Sequence, residues 1–216
     1  ASLERAVTFA EEARNPYGAW RYSYPPIGDN GSMQSGRFVL GLVEAFAVDV
    51  HAAPQTFAGA FSWFEEVYDP ETGRTGCLSR GDFAPRIYEL HEEFPADKVE
   101  LATAMHMILR ASRETLDVQA LTKGAGLLLA KPPAWSRAAG TTDFNYWLYG
   151  TRAMSVLGGL LAERWNAAVV ESLLPHQLRG EDAGAWPGAD AWSAPGLKAY
   201  ATAVNARTLI EVLAQG

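Results

Sequence analysis

The 216 residues predict an all-α fold of about four helical hairpins. Three observations carry that expectation. Apolar residues recur at helical spacing, and no stretch alternates long enough to make a strand. A unit made of a helix, a Gly/Pro-rich break and a second, more apolar helix comes round four times. Its breaks read Tyr17-Gly-Ala-Trp20, Gly73-Arg-Thr-Gly-Cys77, Lys131-Pro-Pro-Ala-Trp135 and Gly180-Glu-Asp-Ala-Gly-Ala-Trp186. The unit recurs at roughly 50–60 residues, the period of stacked helical hairpins. Copies of that length cannot bury an apolar face alone, so they must stack on one another. Residues 1–216 therefore read as one repeat domain, with the more apolar second helix of each pair inside.

The elements follow in order. Ser2 caps a first helix over 3–14, with Leu3, Ala6, Val7 and Ala10 on one face. Asn15-Pro16 ends it, and Pro25-Pro26-Ile-Gly-Asp-Asn-Gly is a turn-rich loop. Ser32 caps a second helix reaching about Asp49, apolar nearly all round and so buried on most sides. A third helix covers 56–68 and stops at Asp69-Pro70. Residues 71–95 form a long irregular break, a kind of segment that is often functional. Asp97 caps a helix to about Arg113. The third pair spans 118–129 and 143–157, closed by Gly158-Gly159. The fourth spans 160–178, kinked at Pro175, then a break to Pro195 and a helix over 196–213.

Bulk properties narrow the function classes. Net charge is -7, and Lys and Arg are scattered, which argues against a nucleic-acid partner. The longest apolar run, 39–50, is broken by Glu44 and Asp49, so no membrane span is expected. One cysteine, Cys77, allows neither an intramolecular disulfide nor a cysteine-rich metal site. The chain reads as soluble, compatible with the cytosol and equally with export after removal of a signal peptide.

The repeat resembles the prenyltransferase and squalene-hopene cyclase repeat proteins, the terpenoid-cyclase-like group. Tyr17-Gly-Ala-Trp-Arg-Tyr22, followed by Gly28-Asp29 and the Ser32 helix start, is similar to that family's Gly-Gly-Trp-Arg-Tyr segment. Asp143-Phe-Asn-Tyr-Trp-Leu-Tyr-Gly-Thr-Arg-Ala-Met154 resembles a helix of bacterial repeat proteins of unknown role. Trp165-Asn166, His176-Gln177 and Gly184-Ala-Trp-Pro187 follow the same template. The resemblance implies an α/α toroid, here partial or compact because it has four pairs rather than six. It does not carry the family's chemistry across. No Asp-x-Asp acid segment occurs, and the lone Cys77 cannot complete an Asp, Cys and His zinc set. The Gly-Cys-Gly-Glu-Gln thioester stretch is also not matched by Gly76-Cys-Leu-Ser-Arg80.

Several side chains are candidates for a site. His106 on a predicted inner helix is an acid or base if it faces a cavity, and a core histidine otherwise. Its discriminator is a carboxylate such as Glu44 or Asp143 within reach. Tyr146, Trp147 and Tyr149 would line an apolar pocket or pack between hairpins; Tyr146 and Tyr149 share a face and Trp147 points elsewhere. Trp20, Trp135 and Trp186 read as structural covers of the hairpin corners, their indole N–H bonding a loop carbonyl. Arg80-Gly-Asp82, His91-Glu-Glu93, Cys77, Glu181-Asp182 and Asp190 are weaker signals with ordinary loop readings. No metal and no cofactor are expected.

The expected function is a non-catalytic binding or scaffold domain. Its aromatic-lined inner face, around Tyr146, Tyr149, Trp147 and His106, would hold an apolar small molecule or a protein segment. The alternative is a terpenoid-cyclase or prenyl-transfer-like enzyme with an unrecognised acid, which requires an enclosed cavity and an acid of raised pKa. A third reading is a structural piece completed by another copy, a homo-oligomer with apolar terminal hairpins.

Overall fold

The structure, a computed structural model, describes residues 2–16, 18–113, 116–193 and 197–215. Tyr17, the first residue of the first predicted break, lies outside the described residues, as do Pro195 and Gly196 at the last one. The fold is all-α. Among the described residues the only strand-like pairing is an isolated bridge between Tyr68 and Thr75. No described helix is long and apolar enough to cross a membrane. The chain divides into two compact units, Ala1–Asp82 and Phe83–Gly216.

The first unit holds α1 (Ser2–Glu12), α2 (Ser32–Phe46) and α3 (Pro54–Glu66). α1 buries Val7 and Ala10 and stops two residues short of Arg14. It stops there because Asn15, 1% exposed, turns its side chain to the following loop. Its amide donates to the Asp29 carbonyl and to Asn30 Oδ1, and its carbonyl oxygen accepts from the Gly28 N–H. The chain then passes Gly18, whose φ of +96° and near contact with Gly59 leave no room for a side chain. A Cβ there would lie 2.6 Å from the Gly59 Cα of α3.

α2 buries Met33, Val39, Leu40 and Leu42. Ser32 does not cap it. Gly31 holds the cap position, and the Ser32 hydroxyl donates to the Gly76 carbonyl at 2.6 Å while accepting the Trp63 indole N–H at 3.2 Å. The hydroxyl thus ties α2, α3 and the 76–82 turn together, a longer-range use that sequence proximity could not show. α3 starts two residues earlier than expected because Pro54 fits the first helical turn. In the turn that follows, Asp69 accepts from Glu71 N and Thr72 Oγ1, and Asp82 accepts from the amides of Cys77 and Leu78.

The second unit holds α4 (Leu101–Ala111), α5 (Val118–Ala130), α6 (Phe144–Leu157), α7 (Gly159–Leu173) and α8 (Leu197–Leu213). α6 packs against all four of the others. Its small residue Gly150 admits the Trp165 ring of α7, which would sit 2.1 Å from any Cβ at that position. The Trp165 indole donates to Thr151 Oγ1, which donates in turn to the Trp147 carbonyl. α4 is buried on almost every side, as its apolar sequence predicts. Asp97 lies in a short 3₁₀ turn, Ala96–Lys98, instead of capping α4; the cap position falls to Glu100. Pro175 ends α7 rather than kinking it, the chain tightening into a 3₁₀ turn at Leu174–His176.

α8 departs from the expected pattern of inner second helices. It buries Ala201, Asn205 and Thr208 but leaves Ile210 and Leu213 exposed, at 64% and 78%. Its buried stripe is small and polar, so its apolar residues fall on several faces.

Candidate functional site

The tryptophan corners have a shared construction. The Trp20 indole N–H donates to the Ala10 carbonyl of α1 at 2.7 Å, and its backbone N–H donates to Ser35 Oγ of α2 at 3.0 Å. The Trp186 indole donates to the Leu173 carbonyl of α7 at 2.8 Å, and its backbone N–H to Thr202 Oγ1 of α8 at 3.1 Å. In both hairpins the ring satisfies a carbonyl in the last turn of the first helix, and the backbone is held by a hydroxyl of the second. The acceptor is thus a helix-end carbonyl rather than the loop carbonyl expected. Trp135 is half-buried and stacks flat on the exposed His176, centroids 4.2 Å apart.

The proposed inner-face residues are packed. Tyr146 is 1% exposed; its hydroxyl donates toward the Leu128 and Lys131 carbonyls, and its ring meets Trp165 edge-on. Burial pushes its phenol pKa well up, with the Glu100 and Asp143 charges adding. Trp147 is fully buried against Phe144 and Trp135, and its indole N–H has no hydrogen-bond partner among the described residues. Tyr149 is half-buried. His106 is 1% exposed, and its Nε2 accepts from Arg110 Nε at 3.1 Å. That bond places the imidazole proton on Nδ1 and puts a guanidinium against the ring.

A buried charge cluster stands at the start of α6, and it includes Asp190. Asp143 caps the helix by accepting the Tyr146 N–H at 2.8 Å. Its other oxygen accepts from Arg86 Nη1 at 2.9 Å, and both oxygens lie 3.1 Å from the Trp192 indole nitrogen. Arg86, 3% exposed, also donates to the Pro95 and Gly140 carbonyls. Asp190 accepts the Phe144 N–H at 2.9 Å and the Ser193 hydroxyl. Burial, then the Asp143 charge, raises its pKa to about 7. A carboxyl of raised pKa beside a second carboxyl is an ingredient of acid–base chemistry. Here each is committed to a backbone amide of α6, so the pair closes a helix. Sequence reading noticed Asp143 and Asp190 separately. Arg86 and Trp192, which both bond Asp143, gave no signal because 57 and 49 residues separate them from that carboxylate.

The weaker candidates fall into local roles. Asp82 of the Arg-Gly-Asp tripeptide builds its own turn. His91 Nδ1 bonds the Tyr88 carbonyl, Glu93 pairs with Arg137, and Asp182 pairs with Lys198. Cys77 is half-buried. Among the described residues no group of three or more His, Cys, Asp or Glu could hold a metal ion.

Open space occurs in the first unit. A solvent-accessible cleft of about 620 Å³ lies between the 21–31 loop, the end of α3 and the 76–82 turn. The loop contributes Arg21, Asp29 and Asn30; α3 contributes Trp63 and Glu66; the turn contributes Leu78. All three walls are held from behind. Asn15 fixes the loop, and the Ser32 hydroxyl joins α3 to the turn. Arg21 Nη1 donates to the Asn30 carbonyl at 3.1 Å, while the Asp29 and Glu66 carboxylates have no hydrogen bond or ion pair among the described residues. The Gly28-Asp29 turn was visible in the sequence. Glu66 and Leu78 were not, since only the fold brings them beside it.

No protein-family model matches the chain, and no curated protein matches it.

Proposed function

We propose that the chain is a non-catalytic binding domain of the prenyltransferase and squalene-cyclase repeat type, a toroid-like stack of helical hairpins. Its ligand is held in the cleft of the first unit. The single observation that carries the reading is that cleft: an open, pre-formed space with braced walls and uncommitted carboxylates. The tight packing of Tyr146 and Trp147 supports moving the ligand away from the aromatic interior. The commitment of Asp143 and Asp190 to helix capping supports binding over turnover.

The test is NMR chemical-shift mapping of the full chain against a library of small polar and apolar fragments. Shifts should concentrate on the amides of Arg21, Asp29, Asn30, Glu66 and Leu78. Shifts concentrated on Tyr146, Tyr149 and His106, or turnover of an isoprenoid diphosphate lost with Asp190→Asn, would replace this reading with the enzymatic one.

A further inference from the structure

Resting on that reading of the cleft, we propose that its occupant is a lysine or arginine side chain carried by an extended basic segment of a partner protein. The charge balance inside the cleft points to a cation. Asp29 and Glu66 present two exposed carboxylates without partners among the described residues, against one guanidinium. That guanidinium is partly spent, because Arg21 Nη1 serves the Asn30 carbonyl. An anionic ligand would meet two like charges and one half-engaged donor. A cation meets two acceptors, one of them on a loop whose backbone is already fixed by Asn15.

The apolar part of the lining suits the stem of such a side chain. Leu78, 45% exposed, and Trp63, whose N–H is bonded to Ser32, both line the space. Long basic residues bury their methylenes along surfaces of this kind while keeping the charge at the polar end. A protein segment fits better than a free amine for two reasons. The space, about 620 Å³, exceeds one side chain and is open, so a chain can run through it. The same loop also exposes Tyr22 at 71% and Ile27 at 68%, surface on which residues flanking the cation can rest. The net charge of -7 steers basic partners toward the molecule.

The experiment is calorimetric titration of the full chain with the capped peptide acetyl-Ala-Lys-Arg-Lys-Ala-amide, beside a matched peptide with Gln at the three basic positions and beside spermidine. The basic peptide should bind, and its affinity should fall as salt is raised. Asp29→Asn and Glu66→Gln should each weaken binding about tenfold, the loss expected when one charge-assisted contact goes. Glu171→Gln, an exposed carboxylate of the other unit, should leave binding unchanged. Melting curves of the two cleft variants check that they fold. Equal binding by the Gln peptide overturns the assignment of a cation while leaving a cleft mapped by fragments standing. Equal or tighter binding by spermidine overturns the protein segment as source. Binding that survives both cleft substitutions, or no binding of the basic peptide at all, overturns the proposal.

Discussion

Asp143 and Asp190 close the same helix end: Asp143 takes the Tyr146 N–H of α6 at 2.8 Å, and Asp190 takes the Phe144 N–H at 2.9 Å. Two carboxyls at one N-terminus satisfy two orphan donors and complement the helix dipole. They also repel each other, and of the two carboxyls it is Asp143 that Arg86 bonds. The cluster therefore resolves its charge by keeping Asp190 protonated up to about pH 7.

That proton links stability to pH. The folded pKa of Asp190 lies above the ordinary carboxylate value, so the folded state binds the proton more tightly than the unfolded one. The resulting stabilisation is complete below about pH 4 and is lost as pH rises to about 7. Asp190→Asn keeps an acceptor for Phe144 and cannot ionise. Urea denaturation at pH 5, 6, 7 and 8 should show the wild type losing stability relative to Asp190→Asn across that window. Parallel curves would show that Asp190 does not titrate there.

Arg86→Met should destabilise by about 3–5 kcal/mol, because it strands the buried Asp143 charge. The Arg86–Asp143 pair is essentially without solvent, at 1% and 0% side-chain exposure. The double variant Arg86→Met, Asp143→Asn should recover part of the loss, and the double-mutant cycle measures the coupling.

Trp20→Phe and Trp186→Phe keep the aromatic ring but leave a carbonyl of α1 or α7 without its indole donor. Each should cost about 1–3 kcal/mol in chemical denaturation. Trp192→Phe in the charge cluster should cost a similar amount for a different reason, the loss of a donor to Asp143.

Glycine substitutions separate packing from propensity. Gly150→Ala drives a methyl into the Trp165 ring and should destabilise by several kcal/mol or displace α7. Gly126→Ala, in α5 with open space around it, should stabilise by roughly 0.5–1 kcal/mol. Thermal melts of the two variants should move in opposite directions.

The helices were legible in the sequence because apolar spacing and glycine or proline stops are local signals; the Asp117 and Asp143 caps of α5 and α6 are seen in the structure. Where expectation and structure part, a distant partner intervenes. Ser32 gives its hydroxyl to Gly76, and Glu100, which holds the cap position expected of Asp97, pairs with Lys131 of the α5 end. The candidate site was less legible. Residues chosen for aromatic and titratable character, Tyr146, Trp147 and His106, are the ones a core consumes, since large rings gain most from burial. Glu66 and Leu78 carry no motif, and they meet Arg21 of the Tyr17-Gly-Ala-Trp-Arg-Tyr22 segment only when three segments converge.

The sequence alone determined the all-α class, the order of the helices and the position of the glycine and tryptophan corners, because each depends on residues within a few turns of one another. Tertiary structure decided which carboxyls share a helix end, which aromatics lose their exposure and where open space remains. Those outcomes depend on desolvation and on contacts across tens of residues, which no local pattern encodes.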